Sequence, residues 1–294
     1  MATYKTYDTI GIREDLQDAI YDISPTTTPF MSTVGRTKAK NTYHEWQTDS
    51  LADVNLANAQ IEGADATSAV LTPTTRVGNY TQISDKVIQV STTDDVVDKA
   101  GRSTETAYQL SKASAEIKRD MESILLSDQA QDAGGSAKAR KLGGLASWIT
   151  TNTVDTAGGA LTETMLKEAV LKAYNSGGEP DVLLVSPANK QVVSTFAGIA
   201  EQRYQAPKSS PTTIIGSADV YLSDFGAVNV VPDRFLSDDF SFVLDPSMAS
   251  VAYLRPFKSQ KLAKMGDSEK HLLNVEYTLV VNNESAHAMM SDET

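Results

Sequence analysis

Three histidines, His44, His271 and His287, are the residues of this chain best suited to acid–base or metal chemistry, and their spacing serves neither. None stands in an HExxH arrangement, and no cysteine is present to complete a zinc site, attack as a thiolate or form a disulfide. Each histidine is therefore expected at a surface or interface. Carboxylates gather at Asp94, Asp95 and Asp98 and again at Asp238 and Asp239, where a cation or an acid–base pair is conceivable. Acidic pairs in polar turns usually serve as solvated caps, and Asp94 and Asp95 fit the first turn of a short helix. The run Lys138-Ala139-Arg140-Lys141-Leu142-Gly143-Gly144 shares glycine and lysine with a phosphate loop but not the GxxxxGK[ST] order, so it reads as a glycine-rich turn. GxSxG and GxGxxG are both missing. This inventory specifies no reaction, cofactor or metal, and the chain reads as a non-enzyme.

Composition narrows the partners. Against 26 basic side chains stand 38 acidic ones, a net charge of −12, which is not the footprint of a protein that grips phosphate backbones. An acidic surface can still line a space filled with nucleic acid. The lack of cysteine suits a reducing cytoplasm. The first residues, MATYKTYDTIGIREDLQ, have no basic region followed by an apolar run, and no apolar run approaches the ~18 residues of a membrane span, so no membrane partner is expected.

The elements that would position any site are legible from periodicity. Ala107, Leu110, Ser114, Ile117, Met121 and Ile124 recur at alternating steps of three and four and predict a helix over 103–128, about 39 Å long, packed along that stripe. Ser103 and Thr104 are its expected caps, and Lys112 with Glu116 and Lys118 with Glu122 are expected as ion pairs on its outer face. Before it, residues 12–23 suit a short helix carrying Leu16, Ile20 and Ile23, and Pro25 and Pro29 make 24–30 an extended strap. Tyr43 to Thr48 and Arg76 to Ile83 alternate as strands around a long polar stretch. Two strands are marginal alone, so this is expected to be an extended arm whose partners lie on a neighbouring molecule. Glu45, Asp49, Asp53, Glu62 and Asp65 make it acidic, with no Lys or Arg between 41 and 75. A lid over an active site is the competing reading. Residues 145–247 alternate helix, buried strand and helix as an inserted α/β module, and 248–294 return as β-strands, giving an α+β chain.

The order of parts, with the wording DISPTTTPFMSTVGR, TYHEWQTDSL, NAQIEGADA, NYTQISDKV and AGRSTETAYQLSKASAEIKRDME, resembles the major capsid proteins of tailed bacteriophages with the HK97-like fold. The similarity is tightest in the first half and looser to the end. On that resemblance, 1–40 is the N-terminal arm, 41–86 the E-loop, and 87–144 with 248–294 the peripheral domain, with 103–128 as its spine helix. Residues 145–247 are the axial domain. It implies hexamers and pentamers in an icosahedral shell around double-stranded DNA, bound without sequence specificity, in a virion assembled in the host bacterial cytoplasm. A portal and a decoration protein are the further partners it implies. Because the arm begins almost at Met1, a separate scaffolding protein or a segment already removed is expected. An encapsulin-like protein nanocompartment is the alternative within the fold. Arg255, Lys258, Lys261 and Lys264 form a basic stretch that is either a strand edge guarded by lysine or the receptor for the acidic arm of an adjacent subunit.

Overall fold

Alternating side chains decide how the chain is layered. The computed structural model describes residues 24–52, 54–63, 65, 71–98, 103–156, 158–196 and 220–291. The expected helix over 12–23 and the acidic residue Asp53 lie outside the described residues. In chain order the elements are α1 (Pro29–Thr33), β1 (Gly35–Lys38), β2 (Tyr43–Thr48), β3 (Thr75–Tyr80), β4 (Gln82–Ser91), α2 (Thr92–Val96) and α3 (Glu105–Leu126). The inserted module holds α4 (Leu145–Trp148), β5 (Thr153–Asp155), α5 (Glu163–Asn175), β6 (Val182–Val185), α6 (Pro187–Val193), β7 (Val220–Ser223), β8 (Gly226–Pro232) and β9 (Phe240–Leu244). β10 (Ala249–Lys261), β11 (Ser268–Val281) and β12 (Ala288–Ser291) complete the chain.

A six-stranded sheet runs β5-β12-β9-β6-β8-β7, with the wholly buried β6 inside it. Leu183 and Val185 point to a layer made by α5 and α6 with Leu166, Val170 and Val193. Val182 and Leu184 point the other way, into the core shared with the long helix. The two faces explain why the run is continuously apolar. A four-stranded sheet, β1-β10-β11-β4, carries the long helix on one face, and β2 pairs only with β3 among the described residues. Thr162 caps α5 by accepting from the Met165 amide, and Ser186 caps α6 by accepting from Asn189, each as its residue type dictates.

Three expectations need correction. The buried row of α3 is Glu105, Ala113, Ile117, Met121 and Leu125, with Gln109 half-buried between them; Ala107 is exposed, and Leu110 and Ile124 are only half-buried. Steps of four form the inclined ridge that packs against a neighbouring element. Its first two positions are polar, with Gln109 Nε2 donating to Glu105 at 2.7 Å, so hydrophobic periodicity could not mark them. α4 and α1 cover the flank, which brings Leu126 and Glu122 into the interior, and Glu116 pairs with Lys86 of β4 rather than with Lys112. Second, Pro29 does not extend the strap but opens α1, where a helix tolerates proline because that amide has no intrahelical partner. Third, β12 does not stay in the peripheral sheet: it lies between β5 and β9, so the end of 248–294 belongs to the six-stranded sheet.

Ile117 is 1% exposed in the core beneath the four-stranded sheet. Ile117→Asp is expected to abolish folding, because an unpaired carboxylate there has no donor, while Leu125→Ala should lower stability by about 2–5 kcal/mol in urea denaturation. A folded, soluble Ile117→Asp subunit with native circular dichroism would refute this packing.

Candidate assembly interface

The acidic arm is fastened at its root and bare at its tip. At the root, Asn79 is fully buried, accepting from the Gly143 amide at 2.8 Å and donating to the carbonyls of Gly143 and Leu279, both at 3.0 Å. Gly143 therefore belongs to the turn that grips the arm, the part played here by the glycine-rich run. Next to it, Glu276 of β11 is buried and accepts from Thr81 Oγ1 at 2.9 Å, from Arg140, and from Arg255 Nε at 2.7 Å. Arg140 Nε also donates to the Thr81 carbonyl at 2.7 Å. Trp46 and Trp148 meet with ring centroids 5.4 Å apart, so the arm leaves the body from a rigid base.

Beyond this base the described tip has no cover. Leu51, Val54, Leu56, Ile61 and Leu71 are exposed, from 83% at Ile61 to 98% at Leu51. Of the acidic residues, Asp49, Glu62 and Asp65 are exposed, whereas Glu45 pairs with Arg76 across the β2–β3 ladder at 2.8 Å.

The basic stretch lies on β10 and the turn after it, but the structure does not hold its cations together as one patch. Arg255 belongs to the Glu276 clamp, Lys261 pairs with Glu269 at 2.7 Å, and Lys264 reaches Asp267 at 3.8 Å and Thr92 Oγ1 at 3.1 Å. Only Lys258 has no acidic partner among the described residues. It stands opposite Asn274, which stands opposite Asp85, so the three share the sheet face turned away from α3. Ile83 and Val87 lie on that same face at 49% and 53% exposure, with Leu272 opposite Val87.

Two buried groups escaped the sequence. Glu122 accepts the amides of Phe30 at 2.6 Å and Met31 at 3.0 Å, joining α3 to the start of α1, instead of pairing with Lys118. Burial, with the Asp233 carboxyl beside it, pushes Glu122 up to about 8 even against those two donors, and burial raises Asp233 as well. His287, expected at a surface, is completely buried and accepts the Asp245 amide at its Nδ1 at 3.2 Å, and burial pushes its pKa down. His44 and His271 are half-buried. The expected acidic pairs divide: Asp95 takes the Thr106 amide at 3.1 Å and so caps the long helix, the role expected of Ser103 or Thr104.

A projecting two-stranded arm, a long helix under a four-stranded sheet and an inserted α/β module define a shell subunit of the HK97-like fold. The capsid of a native GTA particle matches with a TM-score of 0.67 at 10% identity over 98% of both chains. The holo-SrpI encapsulin of Synechococcus elongatus PCC 7942 matches with 0.61 at 14%, over 99% of this chain and 96% of that one. In sequence, the major capsid protein of Escherichia phage Phieco32 is 28% identical across 98% of this chain and 96% of its own length. The family model for the SU10 major capsid protein matches residues 2–294, and the chain belongs to that family. Many copies of it form the capsid shell of a phage virion.

Asn79→Ala removes three hydrogen bonds from the arm root and strands the Gly143 amide in the interior. We expect a stability loss of about 1–3 kcal/mol in urea denaturation, with faster hydrogen exchange at Gly143. Unchanged exchange there would mean that the turn is held without Asn79.

Proposed function

We propose that this capsid protein assembles into hexamers and pentamers by laying its acidic arm across the outer face of the peripheral sheet of a neighbouring subunit. The carrying observation is the row of exposed side chains Leu51, Val54, Leu56, Ile61 and Leu71 on an arm whose root is fixed. Burying one such side chain is worth about 1.5–3 kcal/mol, so a few of them on a neighbour give a directed association. The receiving face offers Ile83, Val87 and Leu272 for this apolar edge and Lys258 for the carboxylates at Asp49, Glu62 and Asp65. Because Arg255, Lys261 and Lys264 are engaged within their own chain, charge supplies orientation and the apolar residues supply affinity. Once one contact forms, the linked arm raises the effective concentration for the next.

The same reading places double-stranded DNA inside the shell, held by enclosure and not by sequence, in keeping with the net charge of −12. A separate scaffolding protein, a portal and a decoration protein complete the head, and assembly takes place in the host bacterial cytoplasm, which suits a chain without cysteine. Nuclease-protected double-stranded DNA in purified particles is the expected content; particles filled with protein cargo would favour the encapsulin-like alternative.

The triple variant Leu51→Ser, Leu56→Ser and Ile61→Ser should keep the circular dichroism and melting temperature of the wild-type subunit. Its shell yield by sedimentation should fall at least about tenfold, since each lost contact removes more than about 1.4 kcal/mol. Lys258→Glu should slow assembly most at low salt. Normal yields from both variants would overturn the proposed contact.

A further inference from the structure

The joint between the N-terminal arm and the long helix is independent of the contacts between subunits, and its chemistry is unusual. Glu122 and Asp233 are both 0% exposed and interact with each other. The Glu122 oxygens accept one main-chain amide each, Phe30 at 2.6 Å and Met31 at 3.0 Å. Asp233 Oδ1 accepts the Phe235 amide at 2.9 Å, while its buried Oδ2 receives no hydrogen bond from the described residues. Of the other charged or titratable groups around the site, Tyr253 of β10 feels Glu122, and Arg36 of β1 acts on that tyrosine. On α3, the Arg119 guanidinium lies over the Phe235 ring, 5.8 Å from its centroid. No cation is among the main influences on Glu122, which are burial, the Asp233 carboxyl and the two amides.

Two ionised carboxyls packed together without a cation would repel and remain poorly solvated. One proton removes both difficulties. Shared between Glu122 and Asp233 Oδ2, it gives the orphan oxygen a hydrogen-bond partner and leaves a single negative charge on the pair. We propose that Glu122 and Asp233 form a one-proton latch, which holds the N-terminal arm at α1 against the body of the subunit and lets it go when that proton is lost.

The direction with pH follows from the same geometry. In a released arm both carboxyls are hydrated and titrate in the ordinary range, near 4.5 for Glu122, whereas in the docked arm the last proton stays until about 8. A carboxyl raised by docking favours the docked state most fully below its ordinary value. That preference is lost progressively as pH climbs and is gone above about 8. Within this window each pH unit multiplies the released population about tenfold. The joint is thus held most firmly in acid, weakens steadily through neutrality and loses the whole preference in mild alkali, the reverse of a carboxylate held by a salt bridge.

Asp233→Asn isolates the proton. Its amide can donate to Glu122 permanently and still accept from Phe235, so the variant should remain docked at every pH. The test is hydrogen exchange, read at the Phe30 and Met31 amides of the full-length subunit by fragment-resolved mass spectrometry, from about pH 6 to about pH 9. Each wild-type rate is divided by the Asp233→Asn rate at the same pH, so that the intrinsic dependence of exchange on hydroxide cancels. The ratio should rise about tenfold per pH unit and level off above about 8. The double variant Glu122→Gln with Asp233→Asn carries no titrating group in the latch, should show the same flat profile, and serves if Asp233→Asn alone does not fold. A wild-type profile parallel to that of either variant would overturn the latch.

Discussion

Buried carboxylates fasten two segments of this subunit, the root of the two-stranded arm and the start of α1. Removing a carboxylate from water costs several kcal/mol unless donors replace the lost hydration. Each of these sites therefore draws donors from remote parts of the chain. Glu276 recruits Thr81, 195 residues away, and Arg140, 136 residues away, and so ties the arm, the turn after the long helix and the returning sheet to one point. Glu122 recruits Phe30 across 92 residues and ties the N-terminal arm to the middle of the long helix. Neither contact can form until most of the chain has its native path, which makes the placing of α1 and of the arm root a property of the complete fold and not of their own sequences.

A fixed root with an unburied tip has a consequence for assembly. Exposed large apolar residues are ordinary when scattered, but five on one projecting stretch exceed what a subunit needs for its own core. An arm free to swing would lose conformational entropy on docking. Asn79, Glu276 and the Trp46–Trp148 contact fix its base within the monomer, so less of that cost would fall on the proposed contact. The internal pairing of Arg255, Lys261 and Lys264 acts in the same direction, because a wholly unpaired basic strand would attract any acidic surface and not one arm in one register.

The sequence made the element order largely legible, since strands and helices here carry strong local signals: the all-apolar β6, the Thr162 cap of α5 and the turn at Gly266, whose φ of 85° suits glycine. It misled where a side chain's neighbours come from far away. Glu122 sits four residues after Lys118, which reads as a surface pair, and only the arrival of α1 and of Asp233 puts it indoors. The inner ridge of the long helix begins with Glu105 and Gln109, polar residues that satisfy one another, so a search for apolar periodicity shifts the stripe toward Ala107 and Leu110. β12 carries no mark of the sheet it joins, because short buried strands of either sheet are equally apolar. The arm itself was legible as acidic and extended, whereas the clamp at its root depends on Asn79, Arg140 and Glu276, which are neither close in sequence nor part of any motif.

The two carboxylate sites solve the same problem with opposite chemistry, and the difference matches what each segment must do. At Glu276 the compensating groups are two guanidiniums, whose charge meets the buried carboxylate directly. At Glu122 the compensation comes from two amides and a second carboxyl, and its strength depends on one exchangeable proton. A cation near Glu122 would have made that joint as permanent as the other; Arg119, one turn away on the same helix, is turned onto Phe235 instead. The root of the two-stranded arm is thus tied by contacts between fixed charges. The joint at Glu122 is built instead from a carboxyl pair, and in the proposed latch its strength follows the protonation of that pair.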